Sequence, residues 1–137
     1  MSVEMEVTYE GNLNCKAKHL ESSSIIETDA PLDNGGKAAT FSSTDLVGAA
    51  LGSCILTIMG IIAKRDNIAL EGTKVRVIKN MATAPNRKIG NIQMTVKFPE
   101  GLNLSDKDKK KFEKAVDLCP VKQSLHPDVK IQTEFIW

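Results

Sequence analysis

Alternation of apolar and polar side chains over short segments predicts most of the β-structure of this chain. The first three predicted strands follow one another before residue 30, so they form a meander, and the next two form a long hairpin around Pro85. The predicted strands cover residues 3–9, 13–20, 24–28, 70–79, 89–98 and 129–137.

A long apolar stretch interrupts this alternation and predicts a central helix. Ser42 and Asp45 have the spacing of a capping box, and the pattern ends near Arg65. A second capping pattern at Ser105 precedes an amphipathic segment, and Pro120 ends that helix and begins a short third one. The predicted class is therefore α+β, with one domain over residues 1–137.

Composition and charge exclude several classes of protein. The formal net charge is +1 and aromatic residues make up 4% of the chain. The chain therefore lacks both the excess of positive charge and the aromatic side chains typical of a nucleic-acid-binding protein. Lysines within 107–111 fit the solvated face of a helix. The acidic, alternating N-terminus does not have the pattern of a signal peptide, so a cytoplasmic location is expected.

The uncharged segment 46–63 meets the lower length limit for a membrane span. Its glycines and polar residues, and the alternating segments around it, favour the core helix of a globular protein instead. Glycines at 48, 52 and 60 leave room for the close approach of another backbone. Packing against a second copy of the helix is one such arrangement, and packing within the chain is the other.

Three cysteines without a secretory signal suggest reactivity, metal binding or packing, rather than a disulfide framework. Cys54 lies well inside the long helix, where an inert, buried thiol is the simpler interpretation. A reactive Cys54 requires a cation, a hydrogen-bond donor or a second chain nearby. Cys15 lies in a predicted strand and is expected to be a packing or surface thiol. No short Cys/His spacing indicates a metal site.

Cys119 has a different setting, because it directly precedes Pro120 at the predicted start of the third helix. Unpaired backbone N–H groups at such a position stabilise a thiolate, and Lys122 is near enough in sequence to assist. Simple packing at a corner of the core explains Cys119 equally well. Cys54 and Cys119 are nevertheless the candidates for a reversible redox couple, which favours a thiol peroxidase.

Two segments resemble the signature motifs of the OsmC/Ohr family, the osmotically induced and organic-hydroperoxide-resistance proteins. They are Phe41-Ser-Ser-Thr-Asp-Leu-Val-Gly-Ala-Ala-Leu-Gly-Ser-Cys54 and Cys119-Pro-Val-Lys-Gln-Ser-Leu-His-Pro-Asp128. The turn at 29–36 and the segment 70–75 fit the same pattern. The resemblance covers nearly the whole chain and points to the general OsmC-like branch.

The resemblance implies an OsmC-like fold, with antiparallel sheets around a long central helix, in an intertwined homodimer with active sites at the interface. It implies that Cys54 is the peroxidatic cysteine and Cys119 the resolving one. A hydroperoxide would oxidise Cys54 to a sulfenic acid, Cys119 would form a disulfide with it, and a dithiol, such as a dihydrolipoyl group, would reduce that bond. No metal, haem or flavin cofactor is implied.

The family's peroxidases also pair the first cysteine with an arginine from the N-terminal strands and a glutamate at the start of the helix. Here no arginine precedes Arg65, and the corresponding carboxylate is that of Asp45. The resemblance therefore assigns Asp45 to the site, although capping alone explains that residue. Arg87, in the predicted hairpin turn of the same chain or of a partner, is the candidate for the missing arginine. Lys16, Lys18 and Lys37 are the alternative cations.

Two functions remain open from the sequence. The first is a peroxidase that reduces organic hydroperoxides through Cys54 and Cys119. The second is a non-catalytic or weakly catalytic dimer of the same fold, which binds a small apolar or thiol ligand or senses redox state through its thiols.

Overall fold

The computed structural model describes all 137 residues and has the predicted α+β class, with two three-stranded sheets and three α-helices. The chain divides into two compact units, residues 1–47 and 48–137. Its strands and helices are β1 (Met5–Gly11), β2 (Asn14–His19), β3 (Ile25–Asp29), α1 (Ser43–Arg65), β4 (Lys74–Ala82), β5 (Lys88–Lys97), α2 (Asp106–Asp117), α3 (Pro120–Ser124) and β6 (Lys130–Ile136).

The first unit contains the predicted meander, in which β1, β2 and β3 pair in order and antiparallel. Val7 lies opposite Ala17, and Ala17 lies opposite Ile26, so these side chains share one face of the sheet. Val7 is 64% exposed and Ile26 is 51% exposed. Met5 and Tyr9, which lie two residues from Val7, extend the same apolar face and are also exposed. The large apolar side chains of this face are therefore exposed.

Asp29, at the end of β3, fixes the loop that leads to α1. Its side chain is buried and accepts hydrogen bonds from Asn14 Nδ2 and from the Ala39 backbone N–H, each at 2.9 Å. The predicted capping box follows. The Ser42 N–H donates to Asp45 Oδ2 at 2.9 Å, and the Asp45 N–H donates to Ser42 Oγ at 3.1 Å. These bonds start α1 at Ser43.

The second unit is built around one face of α1. Leu51, Ile55 and Met59 are fully buried at helical spacing, in one core with Ile92 and Val96 of β5. The opposite face of α1 is exposed and carries small or apolar side chains, at Ala49, Ala50, Ser53, Thr57 and Ile61. The helix is long and apolar enough to cross a membrane by length and composition. Its buried face makes it the core helix of a globular fold.

The second sheet has the order β4–β5–β6 and corrects the expectation of purely antiparallel sheets. β4 and β5 form the predicted antiparallel hairpin, but β6 runs parallel to β5. The physical reason is the connection between them. Residues 98–129 contain α2 and α3, and such a helical crossover returns the chain to the sheet in the same direction.

Two glycines of α1 pack against β4 of the same chain, so their small size does not require a second helix beside α1. A Cβ at Gly52 would lie 3.0 Å from Val77 Cγ2, and one at Gly48 would lie 3.5 Å from Val77 Cγ1. At Gly60 a Cβ would meet nothing within 4 Å. Intrachain packing therefore explains the first two glycines and leaves Gly60 facing open space.

This difference predicts opposite effects at two neighbouring glycines. Both Gly48→Ala and Gly52→Ala gain about 1 kcal/mol of helix propensity. Only Gly52→Ala forces the Val77 side chain to move, at a cost of about 1–3 kcal/mol. We expect the midpoint of urea unfolding to rise above that of the parent protein in Gly48→Ala and to fall below it in Gly52→Ala. Equal midpoints for the two variants would show that α1 and β4 are not packed this closely.

An ion pair and a capping box fix α2, the helix that precedes the second cysteine motif. Lys111 of α2 donates to Asp66 Oδ2 at 2.7 Å, which ties α2 to the end of α1. Hydrogen bonds from Arg65 and Lys111 hold the pKa of Asp66 at about 2, so this pair is charged at neutral pH. The N-terminus of α2 has the predicted capping box between Ser105 and Asp108.

Candidate active site

Cys54 lies at the border between the buried and exposed faces of α1, and its side chain is half-buried. Ala50, Ile58 and Ile61 stand four residues before it and four and seven residues after it, so they share its side of the helix. Ala50 is exposed and Ile61 is 65% exposed. A molecule that reaches Cys54 along this stripe therefore meets an apolar surface.

Cys119 is fully buried and belongs to the core cluster of the second unit. It is the N-cap residue of α3, with Pro120 at the first helical position. The backbone N–H of Lys122 donates to Cys119 Sγ at 3.5 Å. The predicted helix start is therefore present, and it directs a backbone donor at the sulfur.

The structure brings the two cysteines together. Burial raises the pKa of the Cys119 thiol, the N–H groups of Lys122 and Val121 act in the opposite direction, and interaction with Cys54 raises it further. This interaction means that the two side chains lie near each other. Because the pKa of Cys119 is raised, this sulfur retains its proton at neutral pH.

The side chain of Lys122 does not provide the assistance that the sequence suggested. Its ammonium group donates to Asp117 Oδ1 at 2.7 Å, and Gln123 Nε2 donates to the Asp117 carbonyl at 2.8 Å. Lys122 acts on Cys119 through its backbone N–H alone. These contacts with Asp117 hold α3 against the end of α2, and so they fix the direction of that N–H.

Each of the other candidate residues lies on a different element of the chain. Asp45 lies in the first turn of α1 and belongs to the first unit, where it closes the capping box. Arg87 is exposed in the hairpin loop between β4 and β5, in the second unit. Both side chains make polar interactions. Cys15 is half-buried in β2, opposite Tyr9 and Thr28.

Sequence reasoning did not identify Asp117, Gln123 or the N–H of Val121 as parts of the site. Asp117 precedes the cysteine by two residues, and its side chain folds back onto α3 only because Leu118 ends α2. A carboxylate at the end of one helix, followed by Pro and Lys in the next, was the available signal. It does not distinguish a surface ion pair from a contact that orients α3.

Comparison with protein families gives a direct match. The family described as OsmC-like protein matches residues 35–134, a range that contains both cysteine motifs. A Psychrobacter arcticus protein, provisionally described as an osmotic-stress-induced and detoxification-response protein, is 41% identical in sequence. The alignment covers 96% of this chain and 94% of that one, with a TM-score of 0.90.

More distant structures share the fold. An organic hydroperoxide resistance protein from Legionella pneumophila is 16% identical, with a TM-score of 0.79 over 100% of this chain and 98% of that one. The organic hydroperoxide resistance protein OhrB of Bacillus subtilis is 14% identical, with a TM-score of 0.72 over 99% and 98%. No curated protein sequence matches the chain.

Proposed function

The chain belongs to the OsmC-like protein family, and from that premise we propose that it is a cysteine-based peroxidase that reduces organic hydroperoxides. One observation carries the proposal. A half-buried thiol, Cys54, lies close enough to interact with a fully buried thiol, Cys119. Two such thiols can pass from dithiol to disulfide and back.

The proposed reaction begins at Cys54. Its thiolate attacks the outer oxygen of the hydroperoxide, the O–O bond breaks, and the alkoxide takes a proton to leave as an alcohol. Cys54 is then a sulfenic acid. Cys119 then gives up its proton and its thiolate attacks that sulfur. The S–O bond breaks, and the departing hydroxide takes a proton and leaves as water as the disulfide forms. A dithiol, of which a dihydrolipoyl group is one form, supplies the two electrons that reduce the disulfide.

The two roles follow from exposure and protonation. Cys54 is the sulfur that a substrate can reach, whereas Cys119 has no exposed surface. The raised pKa of Cys119 keeps it a neutral thiol while Cys54 reacts with the hydroperoxide. Cys119 is therefore the resolving residue in this proposal, and Cys54 is the peroxidatic one.

The apolar stripe beside Cys54 supports an organic substrate. Ala50, Ile58 and Ile61 offer an alkyl or aryl hydroperoxide an apolar surface, and they offer hydrogen peroxide no hydrogen-bonding group. Solved structures of the same fold include proteins named for organic hydroperoxide resistance. We therefore propose organic hydroperoxides, rather than hydrogen peroxide, as the substrate class. We also propose the cytoplasm as the location.

A steady-state assay tests the activity. Loss of cumene hydroperoxide is followed with an excess of dihydrolipoamide, and hydrogen peroxide serves as the comparison substrate. We expect catalysed consumption of cumene hydroperoxide at a higher kcat/KM than that of hydrogen peroxide. Consumption of both peroxides at the uncatalysed rate would favour the alternative function, a non-catalytic dimer that binds small apolar or thiol ligands.

Arg87 and Asp45 complete the proposed catalytic set, with Arg87 as the cation for the Cys54 thiolate and Asp45 as its orienting carboxylate. Arg87→Met should slow the oxidation of Cys54 by cumene hydroperoxide about tenfold or more, corresponding to about 1.4 kcal/mol of lost stabilisation. Lys88→Met is the matched control, because Lys88 is the next residue and pairs with Asp128 at 3.3 Å. Single-turnover kinetics at neutral pH give both rates. Equal rates for the two variants would remove Arg87 from the site.

A homodimer is the proposed assembly, because an apolar surface remains exposed in the single chain. This surface is the sheet face of the first unit, which includes Met5, Val7, Tyr9 and Ile26. Open apolar surface of this kind marks association sites. Sedimentation equilibrium at micromolar concentration should give a mass of about twice 14.9 kDa, and a mass near 14.9 kDa would contradict the proposal.

A further inference from the structure

We propose that a thiol reductant attacks the oxidised pair at the sulfur of Cys54, so that the mixed disulfide forms there and Cys119 is the leaving sulfur. This inference rests on the disulfide of the proposed function. It identifies the sulfur atom that the reductant attacks. It also assigns the backbone N–H groups of α3 to stabilising the sulfur that is released.

Access to the two sulfur atoms differs sharply. Cys119 has 0% of its surface exposed, and it packs in one core cluster with Phe112 and Ala115 of α2, which are also fully buried. Cys54 is half-buried beside the exposed residues Ala50 and Ile61. A thiolate attacks a disulfide in line with the S–S bond, from the far side of the sulfur that it attacks. Cys119 lies in the core at the start of α3 and has no exposed surface from which a thiolate could approach it.

Two backbone donors partly offset the cost of releasing Cys119 as a thiolate, because burial raises the pKa of this thiol and a raised pKa slows its departure. When the attacking thiolate bonds to Cys54 Sγ, the Cys54–Cys119 bond breaks, and its electron pair remains on Cys119 Sγ. That sulfur accepts the Lys122 N–H at 3.5 Å, and the Val121 N–H also acts on it. No corresponding backbone donors exist beside Cys54, because its helical neighbours have their N–H groups bonded within α1.

The fate of the released thiolate favours completion of the step. Burial raises the pKa of Cys119, so the protonated form of the released sulfur is favoured, and this form is a poor nucleophile for the reverse attack. The second thiol of the dithiol, as its thiolate, then attacks the sulfur of the reductant. Cys54 leaves as a thiolate, the reductant leaves as a cyclic disulfide, and the two electrons and all atoms are accounted for.

The test uses a monothiol, which cannot complete the second exchange, on the full chain with Cys15→Ser as background. The disulfide is prepared with cumene hydroperoxide or, separately, with diamide, and then exposed briefly to benzyl mercaptan. Acid quenching, alkylation under denaturing conditions and peptide mass mapping locate the benzylthio group. We expect it on Cys54 over Cys119 by at least about ten to one, with alkylated Cys119. A majority on Cys119, or an even distribution, overturns the proposal.

The two oxidants separate this inference from the proposed function. If only diamide forms the disulfide and the adduct is on Cys54, the peroxidase proposal fails and the direction of attack stands. If neither oxidant links the two cysteines, both proposals fail.

A second measurement uses single-thiol variants on the same background. Cys119→Ser should react with dithionitrobenzoate at least about tenfold faster than Cys54→Ser, and similar rates would contradict the difference in access.

Discussion

Replacement of Cys54 by serine is expected to abolish peroxide reduction. A hydroxyl at this position is not ionised at neutral pH and cannot form the sulfenic acid, so kcat/KM for cumene hydroperoxide should fall by about a thousandfold or more. Serine keeps the size and the hydrogen-bonding capacity of the side chain, and position 54 is half-buried on α1. The fold should therefore persist, which circular dichroism can verify in the same sample.

Cys15→Ser is the matched control for that experiment. It makes the same chemical change in β2 of the first unit, opposite Tyr9 and Thr28. Its peroxidase activity should equal that of the parent protein. Residual activity of Cys54→Ser above about a tenth of the parent value would contradict the assignment of the peroxidatic sulfur, as would loss of activity in Cys15→Ser.

Replacement of Cys119 by serine is the second large expected effect, and it should separate the two halves of the cycle. Oxidation of Cys54 needs no electrons from residue 119, so a single stoichiometric burst of peroxide reduction should remain. Resolution to the disulfide becomes impossible, and Cys54 should accumulate as a sulfenic acid that dimedone captures. Sustained turnover with a dithiol should fall about tenfold or more, because the reductant must then reduce the sulfenic acid directly.

Serine at this position keeps a donor and acceptor beside Cys54 and can accept the Lys122 N–H as an N-cap residue. The substitution therefore removes the resolving sulfur while preserving the start of α3. Steady-state turnover equal to that of the parent protein, with no dimedone adduct, would contradict the resolving role.

Local pattern was sufficient to predict most of the fold. Strands such as β2 and β6 alternate strongly, and α1 and α2 begin at side-chain caps that the structure confirms at Ser42 and Ser105. The parallel pairing of β6 with β5 was missed, because strand direction depends on the crossover through α2 and α3, rather than on the residues of the strand. The close approach of Gly52 to Val77 was also missed, because it joins residues that are distant in sequence.

The candidate site was only partly accessible from sequence. The position of Cys119 before Pro120 predicted a sulfur at a helix start, and the structure shows the backbone donor that this implies. The contact between Cys54 and Cys119 could be inferred only from family resemblance, because 65 positions separate the two residues in the chain. The sequence also suggested the Lys122 ammonium as an aid to Cys119, whereas Asp117 binds that group instead.

The most direct test of the account is the state of the two thiols after one equivalent of cumene hydroperoxide. The protein, in the Cys15→Ser background, is quenched with acid and digested without reduction, and its peptides are measured by mass spectrometry. The account predicts a single cross-linked species that joins the peptides of Cys54 and Cys119, in nearly stoichiometric yield. Two unmodified thiols, or a sulfinic acid at Cys54 beside a free Cys119, would contradict it.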